Sequence, residues 1–231
     1  MTPTHLIFDL DNTLYPPSRG VVERVDDRIN RFMTERLGLP VDVAATLRAR
    51  YRDTYGTTLN GLMQHHGIEP DDYLEAVHEI AVEELLAPDP DLQSMLSLLP
   101  HRKVVFTNGS AAHADRVLAC LAVREHFHDV FSLERVSYVP KPERAAFETV
   151  LATLAVAATD CLFLDDRPDN LATAHALGMR TVLVGPLPCR ASNTRGSGRL
   201  VGDRFEASPW LDGALASVLE LPALLTALAT P

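Results

Sequence analysis

The sequence contains few cysteines. Its 231 residues include three, Cys120, Cys161 and Cys189, and no two of them form a C-x-x-C pair. An odd number without such a pair indicates neither a disulfide framework nor a zinc site. This pattern is typical of proteins that stay in a reducing compartment, so we expect a cytoplasmic location.

Histidine is more frequent, but the spacing of a histidine metal site is missing. Nine histidines occur, and the clustered ones are His65 with His66 and His126 with His128. Neither pair can place two ligands on one helix face with a third nearby. We therefore interpret these four as surface or packing residues.

Positive charge is in the minority, and the chain has no long apolar run. The 21 lysines and arginines are outnumbered by 31 acidic residues, which gives a net charge of −10. A nucleic-acid surface normally carries a basic stripe, so a nucleic acid polymer is not expected as a partner. The apolar stretch 219–228 is interrupted by Glu220 and Pro222, and no leader pattern opens the chain. We expect a soluble protein without a membrane partner, as a monomer or homodimer.

Two pairs of aspartates follow short apolar runs. Asp9 and Asp11 come after residues 6–8, and Asp165 and Asp166 end a second run. At the carboxyl ends of buried parallel strands, such acids would meet at the sheet edge where open α/β folds bind ligands. Carboxylates this close repel each other unless a cation or a proton offsets their charge. Mg²⁺ prefers hard oxygen ligands and often bridges carboxylates to a phosphate, so the four acids predict a Mg²⁺ site.

Hydrophobic periodicity divides the chain into two kinds of segment. After residue 18 apolar residues recur at helical spacing, which predicts helices over 22–37, 41–55, 58–66, 71–86 and 91–99. From residue 102 strands alternate with helices, and we predict strands at 103–107, 130–133, 161–165 and 180–184. The alternation is typical of an α/β fold, a Rossmann-like doubly wound parallel sheet with helices on both faces.

The strand before Asp9 belongs to the same sheet, which defines the domain organisation. We expect a core formed by residues 1–17 and 96–231, with an all-helical insertion at 18–95. The stretch 186–203 has no periodicity and is predicted to be a loop; its Gly-Ser-Gly at 196–198 lacks the strand and helix of a phosphate cradle. A last helix is predicted over 211–219, and residues 221–228 are expected to pack on the core.

Motif residues appear in a recognisable order along the chain. The first motif is Asp9-x-Asp11-x-Thr13; the later ones are Thr107 after an apolar run, Lys141 between two prolines, and Asp165-Asp166 with Asn170. By these residues the chain resembles the haloacid dehalogenase-like superfamily of phosphotransferases over roughly residues 4–185. The resemblance implies Mg²⁺ as cofactor and a small phosphorylated substrate. It also implies that the helical insertion is a cap that closes over the active site and excludes water.

The resemblance assigns roles in phosphoryl transfer. Asp9 would be the nucleophile that forms an aspartyl-phosphate, and Asp11 would be the general acid and base. For that work the pKa of Asp11 should be raised toward neutrality, which a neighbouring anion and partial burial favour. Thr107 and the backbone amide of Asn108 would hydrogen-bond the phosphoryl oxygens, and Lys141 would balance their charge.

The implied metal ligands are Asp9, the backbone carbonyl of Asp11, and Asp166. Asp165 would act through water or orient Lys141, and the reverse assignment of Asp165 and Asp166 stays open. Asn170 would steady this loop or a metal-bound water. Taken alone, Thr107 and Asn170 could instead be helix caps, and Lys141 a solvated loop lysine.

A subfamily resemblance points to pyrimidine 5′-nucleotidases of the helical-cap type. It rests on the opening 8–16, the cap stretch 55–62 and the tail 220–225, and it implies removal of the 5′ phosphate from UMP or CMP. Tyr55, Asn60 and Gln64 are the candidates for base recognition, although cap packing is an alternative role for each.

Three other functions share part of this pattern. A phosphatase for sugar phosphates or phosphoglycolate would carry the same four motifs and differ in the cap. A haloacid dehalogenase, which attacks carbon, would need neither Asp11 nor magnesium. A non-catalytic phosphate-binding module that resembles a receiver domain could combine acids, a threonine and a lysine in this order, but receivers are about half as long and have no cap.

Overall fold

A six-stranded parallel sheet forms the centre of the molecule. The computed structural model describes residues 2–185, 199–201, 204–206 and 209–229. The strands of this sheet are β1 (His5–Phe8), β2 (Arg102–Phe106), β3 (Asp129–Phe131), β4 (Cys161–Asp165), β5 (Arg180–Val184) and, after the two short strands named below, β8 (Gly213–Leu215). Their order is β3-β2-β1-β4-β5-β8, and each neighbouring pair is parallel. The predicted α/β fold is confirmed, and the predicted strands occur with small shifts.

Helices flank the sheet and fill the segment between its first two strands. Those in that segment are α1 (Val21–Leu37), α2 (Val41–Tyr55), α3 (Thr58–His66), α4 (Pro70–His78) and α5 (Pro90–Leu98). The later ones are α6 (Ala111–Cys120), α7 (Arg144–Leu154), α8 (Pro168–Ala176) and α9 (Leu221–Ala229). No helix within the described ranges combines the length and apolarity needed to cross a membrane.

Strand β1 lies at the centre of the sheet and is buried on both faces. Leu6 and Phe8 belong to the apolar cluster on one face, and Ile7 belongs to the cluster on the other. Burial on both faces explains why the run is apolar throughout instead of alternating. Phe8 pairs with Val105 on one side and Leu164 on the other, so the residues that follow these three strands emerge at the same edge.

Helices α1 to α4 pack against one another, whereas α5 packs elsewhere. Helix α5 contacts the short 3₁₀ turns at 124–126 and 218–220. Its Leu92, together with Val82, lies in the same apolar cluster as Leu6 and Phe8. The predicted boundary at residue 95 therefore falls inside a helix that packs with the sheet. The division into core and cap stays a prediction, and the packing favours an insertion that ends near His78.

The helix predicted over 71–86 is shorter than expected. Helix α4 ends at His78, and a 3₁₀ turn follows at Val82–Glu84. The guanidinium of Arg116 donates to the backbone oxygen of Ile80 at 2.7 Å and to that of His78 at 3.4 Å. These bonds satisfy carbonyl groups that a continued helix would have used itself.

The helix predicted over 211–219 is wrong, because Gly213–Leu215 forms the edge strand β8. It pairs with β5 from Val182 to Val184. A Cβ atom at Gly213 would lie 2.8 Å from Leu224 Cδ2, so a larger residue here would force the Leu224 side chain of α9 to shift. The prediction that residues 221–228 pack on the core is confirmed, since Leu221 and Leu225 are buried there.

The predicted loop at 186–203 lies mostly outside the described residues, as does the Gly-Ser-Gly sequence at 196–198. The prediction is wrong for Arg199–Val201, which forms strand β6 and pairs antiparallel with β7 (Arg204–Glu206).

Candidate active site

Three of the four predicted acids converge at the carboxyl edge of the sheet. Each of Asp9, Asp165 and Asp166 places one carboxylate oxygen within 4.8 Å of the other two. Asp9 follows β1 and its backbone N–H donates to Leu164 O at 2.8 Å, while Asp165 ends β4. Parallel pairing of the two central strands therefore brings together acids that are more than 150 residues apart in sequence.

Lys141 lies inside this cluster and joins two of the acids. Its Nζ donates to Asp9 Oδ1 at 2.7 Å, to Asp165 Oδ2 at 2.8 Å and to the backbone oxygen of Phe106 at 2.7 Å. The lysine is only 1% exposed. Its three ammonium donors are thus all used, and it is not a solvated loop residue.

Burial and mutual charge control the protonation of the cluster. Burial works against a charged lysine, but the carboxylates of Asp165 and Asp9 hold the pKa of Lys141 above its usual value. Burial raises the pKa of Asp9, Lys141 offsets part of this effect, and the charges of Asp165 and Asp166 raise it further. One internal cation therefore does not balance three carboxylates.

The two neighbouring aspartates have different partners. Asp165 is fully buried, and its oxygens accept hydrogen bonds from Lys141 and Asn170 and from the backbone N–H of Arg167 at 2.8 Å. Asp166 is half-buried, and one of its oxygens accepts a 3.5 Å hydrogen bond from Asn12. Of the two assignments left open by the sequence, this geometry favours Asp166 as the direct metal ligand and Asp165 as the residue that orients Lys141.

The donor set fits a hard divalent cation. All three converging groups are carboxylates, and burial together with the charge of Asp165 raises the pKa of Asp166 to about 6. Asn170 Oδ1 is buried and has no hydrogen-bond partner in the part of the chain that the structure describes. A cation at this position would offset the excess negative charge, and a water bound to it could donate to that oxygen.

Asp11 stands apart from the acidic cluster. Its Oδ1 accepts hydrogen bonds from His113 Nε2, at 2.9 Å, and from the hydroxyl of Tyr15. Burial by itself would raise the pKa of Asp11, but the charge and hydrogen bond of His113 and the hydrogen bond of Tyr15 lower it to about 2. The expected upward shift is therefore wrong, because the group beside Asp11 is a basic histidine and not a second anion.

His113 is the functional candidate that the sequence interpretation missed. It lies in the first turn of α6, where Ser110 caps the helix by accepting from the backbone N–H of His113 at 3.2 Å. Its buried ring stacks on His78 with centroids 4.5 Å apart, and burial and the nearby His113 lower the pKa of His78 to about 4. The sequence did offer one signal. A helix follows Thr107, Ser110 can cap its start, and a histidine lies three residues after that serine.

Thr107 and Asn108 shape the loop after β2. Thr107 Oγ1 accepts from the backbone N–H of Gly109 at 2.9 Å. The Asn108 amide makes two hydrogen bonds with the backbone of Lys141, accepting from its N–H at 2.8 Å and donating to its carbonyl at 2.9 Å. Both residues line the cavity beside the acids. The side chain of Asn108 thus fixes the backbone of Lys141, and binding of phosphoryl oxygens by this loop stays a prediction.

A cavity of about 300 Å³ opens above the acids and is lined on the other side by residues of α1, α2, α3 and α4. The three predicted base-recognition residues do not line it. Tyr55 donates to or accepts from His65 Nε2 at 2.6 Å, Asn60 donates to Tyr55 O at 3.2 Å, and Gln64 is exposed. In the structure they pack or face solvent, so their contact with the substrate stays a prediction that the cavity does not support. Arg48, Arg52 and Tyr73 are among the helical residues that line the cavity.

Comparison with protein families gives one match over most of the chain. The model of the haloacid dehalogenase-like hydrolases matches residues 3–178. This range contains the acids, Lys141, Asn170 and the His113 that contacts Asp11.

Two curated relatives illustrate the range of similar proteins. Phosphate metabolism protein 8 of Saccharomyces cerevisiae is 27% identical over 193 residues, which cover 76% of this chain and 60% of the yeast protein. The glyceraldehyde 3-phosphate phosphatase of Methanopyrus kandleri is 27% identical over 197 residues, which cover 78% of this chain and 82% of that protein. The chain thus spans less than two thirds of the length of the yeast relative.

Solved structures share the fold at low sequence identity. The 2-haloacid dehalogenase of Pseudomonas syringae pv. Tomato DC3000 superimposes with a TM-score of 0.58 and 21% identity, over 98% of this chain and 100% of that chain. Identity at this level shows a common architecture and leaves the reaction to be argued from the site.

Proposed function

The chain belongs to the haloacid dehalogenase-like hydrolases, and on that premise we propose that it is a Mg²⁺-dependent phosphomonoesterase that acts through an aspartyl-phosphate. The observation that carries the proposal is the arrangement of Asp9, Lys141 and Asp166 in one cavity with the Asp11–His113 pair. The cavity is thus lined by a nucleophile, a fixed cation, a metal-ligand candidate and Asp11, and buried His113 contacts Asp11 from behind the cavity wall. A relative named as a phosphatase of a small sugar phosphate supports the same reaction class.

The proposed reaction has two displacements at phosphorus. A carboxylate oxygen of Asp9 attacks the phosphorus, the bond to the ester oxygen breaks, and the leaving alkoxide takes a proton from the Asp11–His113 pair. Water then attacks the phosphorus of the aspartyl-phosphate, the bond between Asp9 and phosphorus breaks, and inorganic phosphate leaves. Asp11 accepts the proton of the water and returns it to His113, which restores the starting state of the pair. At neutral pH the carboxyl group of Asp11 is ionised because its pKa is about 2. The proton for the first step is therefore assigned to the hydrogen-bonded pair and not to Asp11 alone.

In the proposed metal site Asp9 and Asp166 would ligate Mg²⁺ through carboxylate oxygens, and the backbone carbonyl of Asp11 is the third ligand implied by the motif. The ion would supply charge stabilisation for the phosphoryl oxygens. Lys141 supplies a second, fixed positive charge, since it is held by Asp9 and Asp165. Asp165 holds the lysine in place while it is itself held by Asn170.

The rival dehalogenase reaction uses less of this site. Displacement at carbon releases a halide, which needs no proton from a general acid and no divalent cation. The buried contacts of His113 and Tyr15 to Asp11, and the excess of carboxylates around Lys141, have no purpose in that reaction. They support phosphoryl transfer, which needs both a proton donor and charge neutralisation.

For the substrate we propose a pyrimidine mononucleotide such as UMP or CMP. This finer assignment is supported only by the resemblance of the opening, the cap stretch and the tail to those of pyrimidine 5′-nucleotidases. The three residues first expected to bind the base, Tyr55, Asn60 and Gln64, lie outside the cavity and add no support. Within the cavity, Tyr73 offers an aromatic ring, and Ile29 and Val25 offer apolar surface for a base. Sugar phosphates and phosphoglycolate are the alternative substrates. The protein is further proposed to act in the cytoplasm.

We also propose that α1 to α4 act as the cap. These helices pack on one another, and residues from α1, α2 and α4 face the acids across the cavity. Closure of the cap would exclude water during formation of the aspartyl-phosphate. The helices that close the cavity are thus separate from the loops that carry the reacting groups.

Phosphate release with and without a divalent cation tests the proposed function. We expect the protein to release phosphate from CMP, UMP, ribose 5-phosphate and phosphoglycolate in Mg²⁺, and excess EDTA to lower the rate by at least about 100-fold. Restoration by added Mg²⁺ is the control. Halide release from 2-chloropropionate that survives EDTA would favour the dehalogenase. Tight binding of a phosphoryl analogue such as beryllofluoride without turnover of any ester would favour the non-catalytic module.

Replacement of His113 by glutamine tests the proton-transfer pair. The amide can still donate one hydrogen bond to Asp11 but cannot deliver a proton, so we expect kcat to fall about 10- to 100-fold for esters with poor leaving groups. For p-nitrophenyl phosphate, whose leaving group needs little protonation, the loss should be below about threefold. His126, a partly exposed histidine that does not line the cavity, provides the matched control as His126→Gln. An equal loss for both kinds of ester would contradict a role of His113 in proton transfer.

A further inference from the structure

The wall of the cavity opposite the acids carries two arginines from one helix. Arg48 and Arg52 lie four residues apart on α2, so they occupy the same face of it, and both line the cavity. Tyr73 lines the same cavity: burial raises the pKa of that tyrosine, and the charges of Arg48 and Arg52 oppose the shift. Neither arginine has a part in the phosphoryl-transfer steps.

Arg48 is a buried cation that is incompletely paired. Its side chain is 9% exposed and forms an ion pair with Asp26. One of its terminal nitrogens also donates to the backbone oxygen of Asp26 at 3.2 Å and to Asn30 Oδ1 at 3.3 Å. The Nε–H is buried and has no partner among the residues that the structure describes. An unpaired buried donor is costly, and its presence in a cavity wall indicates that something else accepts from it.

Arg52 is the exposed member of the pair. Within the described ranges its guanidinium has no ion-pair or hydrogen-bond partner, although it lies at the cavity. Asp26 neutralises one guanidinium at most, so this wall keeps a net positive charge. The guanidinium fork is suited to a group that presents two acceptor atoms side by side.

We propose that Arg52 and Arg48 form a second binding subsite, which receives an acceptor-bearing group of the substrate at a distance from the transferred phosphate. The proposal rests on the proposed phosphatase function and deepens it. The shared chemistry is a pair of adjacent acceptor atoms, as in a carboxylate or on the O2/N3 edge of cytosine. Arg52 contacts the acceptor atoms, and Arg48, held in place by Asp26, adds its charge and its unpaired Nε–H.

Two pairs of substrates and the Arg52→Gln variant test the subsite. CMP and ribose 5-phosphate differ by the base, and phosphoglycolate and ethyl phosphate differ by the carboxylate. In one of these pairs we expect Arg52→Gln to lower kcat/KM about tenfold or more for the ester that has the acceptor, and we expect the loss to come from a higher KM. For the other ester of that pair, kcat/KM should fall less than about twofold. The pair that responds identifies the acceptor as a base edge or as a carboxylate. Arg52 is exposed, so the variant is expected to fold.

Arg50 provides the matched control on the same helix. It is exposed, lies over the ring of Tyr51 at 5.7 Å and does not line the cavity, so Arg50→Gln should leave all four rates within about twofold. An equal loss for all four esters in Arg52→Gln, or no loss for any, would overturn the subsite while the phosphatase function stands. No phosphate release from any ester by the wild-type protein would overturn the proposed function, and the subsite with it.

Discussion

Replacement of Asp9 by asparagine is expected to abolish phosphate release, with a loss of at least about 10⁴-fold in kcat. Asp9 accepts a hydrogen bond from Lys141, lies beside the carboxylates of Asp165 and Asp166, and is 7% exposed at the floor of the cavity. An amide oxygen is a poor nucleophile toward phosphorus and cannot form the aspartyl-phosphate. The measurement is phosphate release from p-nitrophenyl phosphate and CMP under saturating Mg²⁺.

The Asp9→Asn protein should remain folded, because the change removes one negative charge from an acid-rich cluster. Lys141 keeps its bonds to Asp165 and to the backbone oxygen of Phe106, and Thr13 can still donate to the side-chain oxygen of residue 9. Circular dichroism and the urea midpoint check this expectation. Asp160→Asn, which changes a partly exposed aspartate at the other end of β4, serves as the control and should retain its rate. Full turnover by Asp9→Asn would end the assignment of the nucleophile.

The sheet could be predicted because most of its strands can be recognised from their own residues. Residues 6–8 and 161–164 are apolar throughout since both faces of β1 and β4 are covered, and each run ends in aspartate. Strand β8 could not be predicted in the same way. It has three residues, and its position follows from pairing with β5 and from the close approach of Leu224 to Gly213, neither of which leaves a local pattern.

The phosphoryl-transfer cluster could be predicted as a set, but its electrostatics could not. Spacing placed Asp9 and Asp165 at one sheet edge, and the structure adds that Lys141 joins them. The pKa of Asp11 depends on His113, which is 102 residues away in sequence and is brought near by the helix after β2. A sequence shows which acids can meet, whereas the direction of a pKa shift depends on which base reaches them.

Residues of the cavity wall were the least predictable part of the site. Candidates chosen from composition, Tyr55 and Asn60, lie on the side of their helices that packs within the helical group. Arg48 and Arg52 are spaced like ordinary charged residues on a helix face, and nothing local distinguishes them from Arg50. The rotation of α2 about its axis decides which of them faces the acids, and that rotation is set by packing against α1 and α3.

Replacement of Lys141 by methionine is expected to have the largest combined effect on stability and rate. Methionine keeps the length of the side chain, but it leaves Asp9 and Asp165 buried without their shared cation. Breaking a buried ion pair from one side typically costs about 3 to 5 kcal/mol of unfolding free energy. The rate of phosphate release should fall by at least about 1,000-fold, because the fixed positive charge beside the phosphoryl group is lost.

Lys103 offers a control that separates loss of a buried ammonium from loss of charge balance. It is 6% exposed, and its Nζ donates to the backbone oxygens of Leu99 at 2.6 Å and His101 at 3.2 Å, with no carboxylate partner among the residues that the structure describes. Lys103→Met should therefore cost about 1 to 2 kcal/mol and leave the rate near that of the wild-type protein. Urea unfolding in EDTA measures both variants without a bound cation. Equal unfolding free energies for the two variants would show that the contacts of Lys141 with Asp9 and Asp165 do not hold the site together.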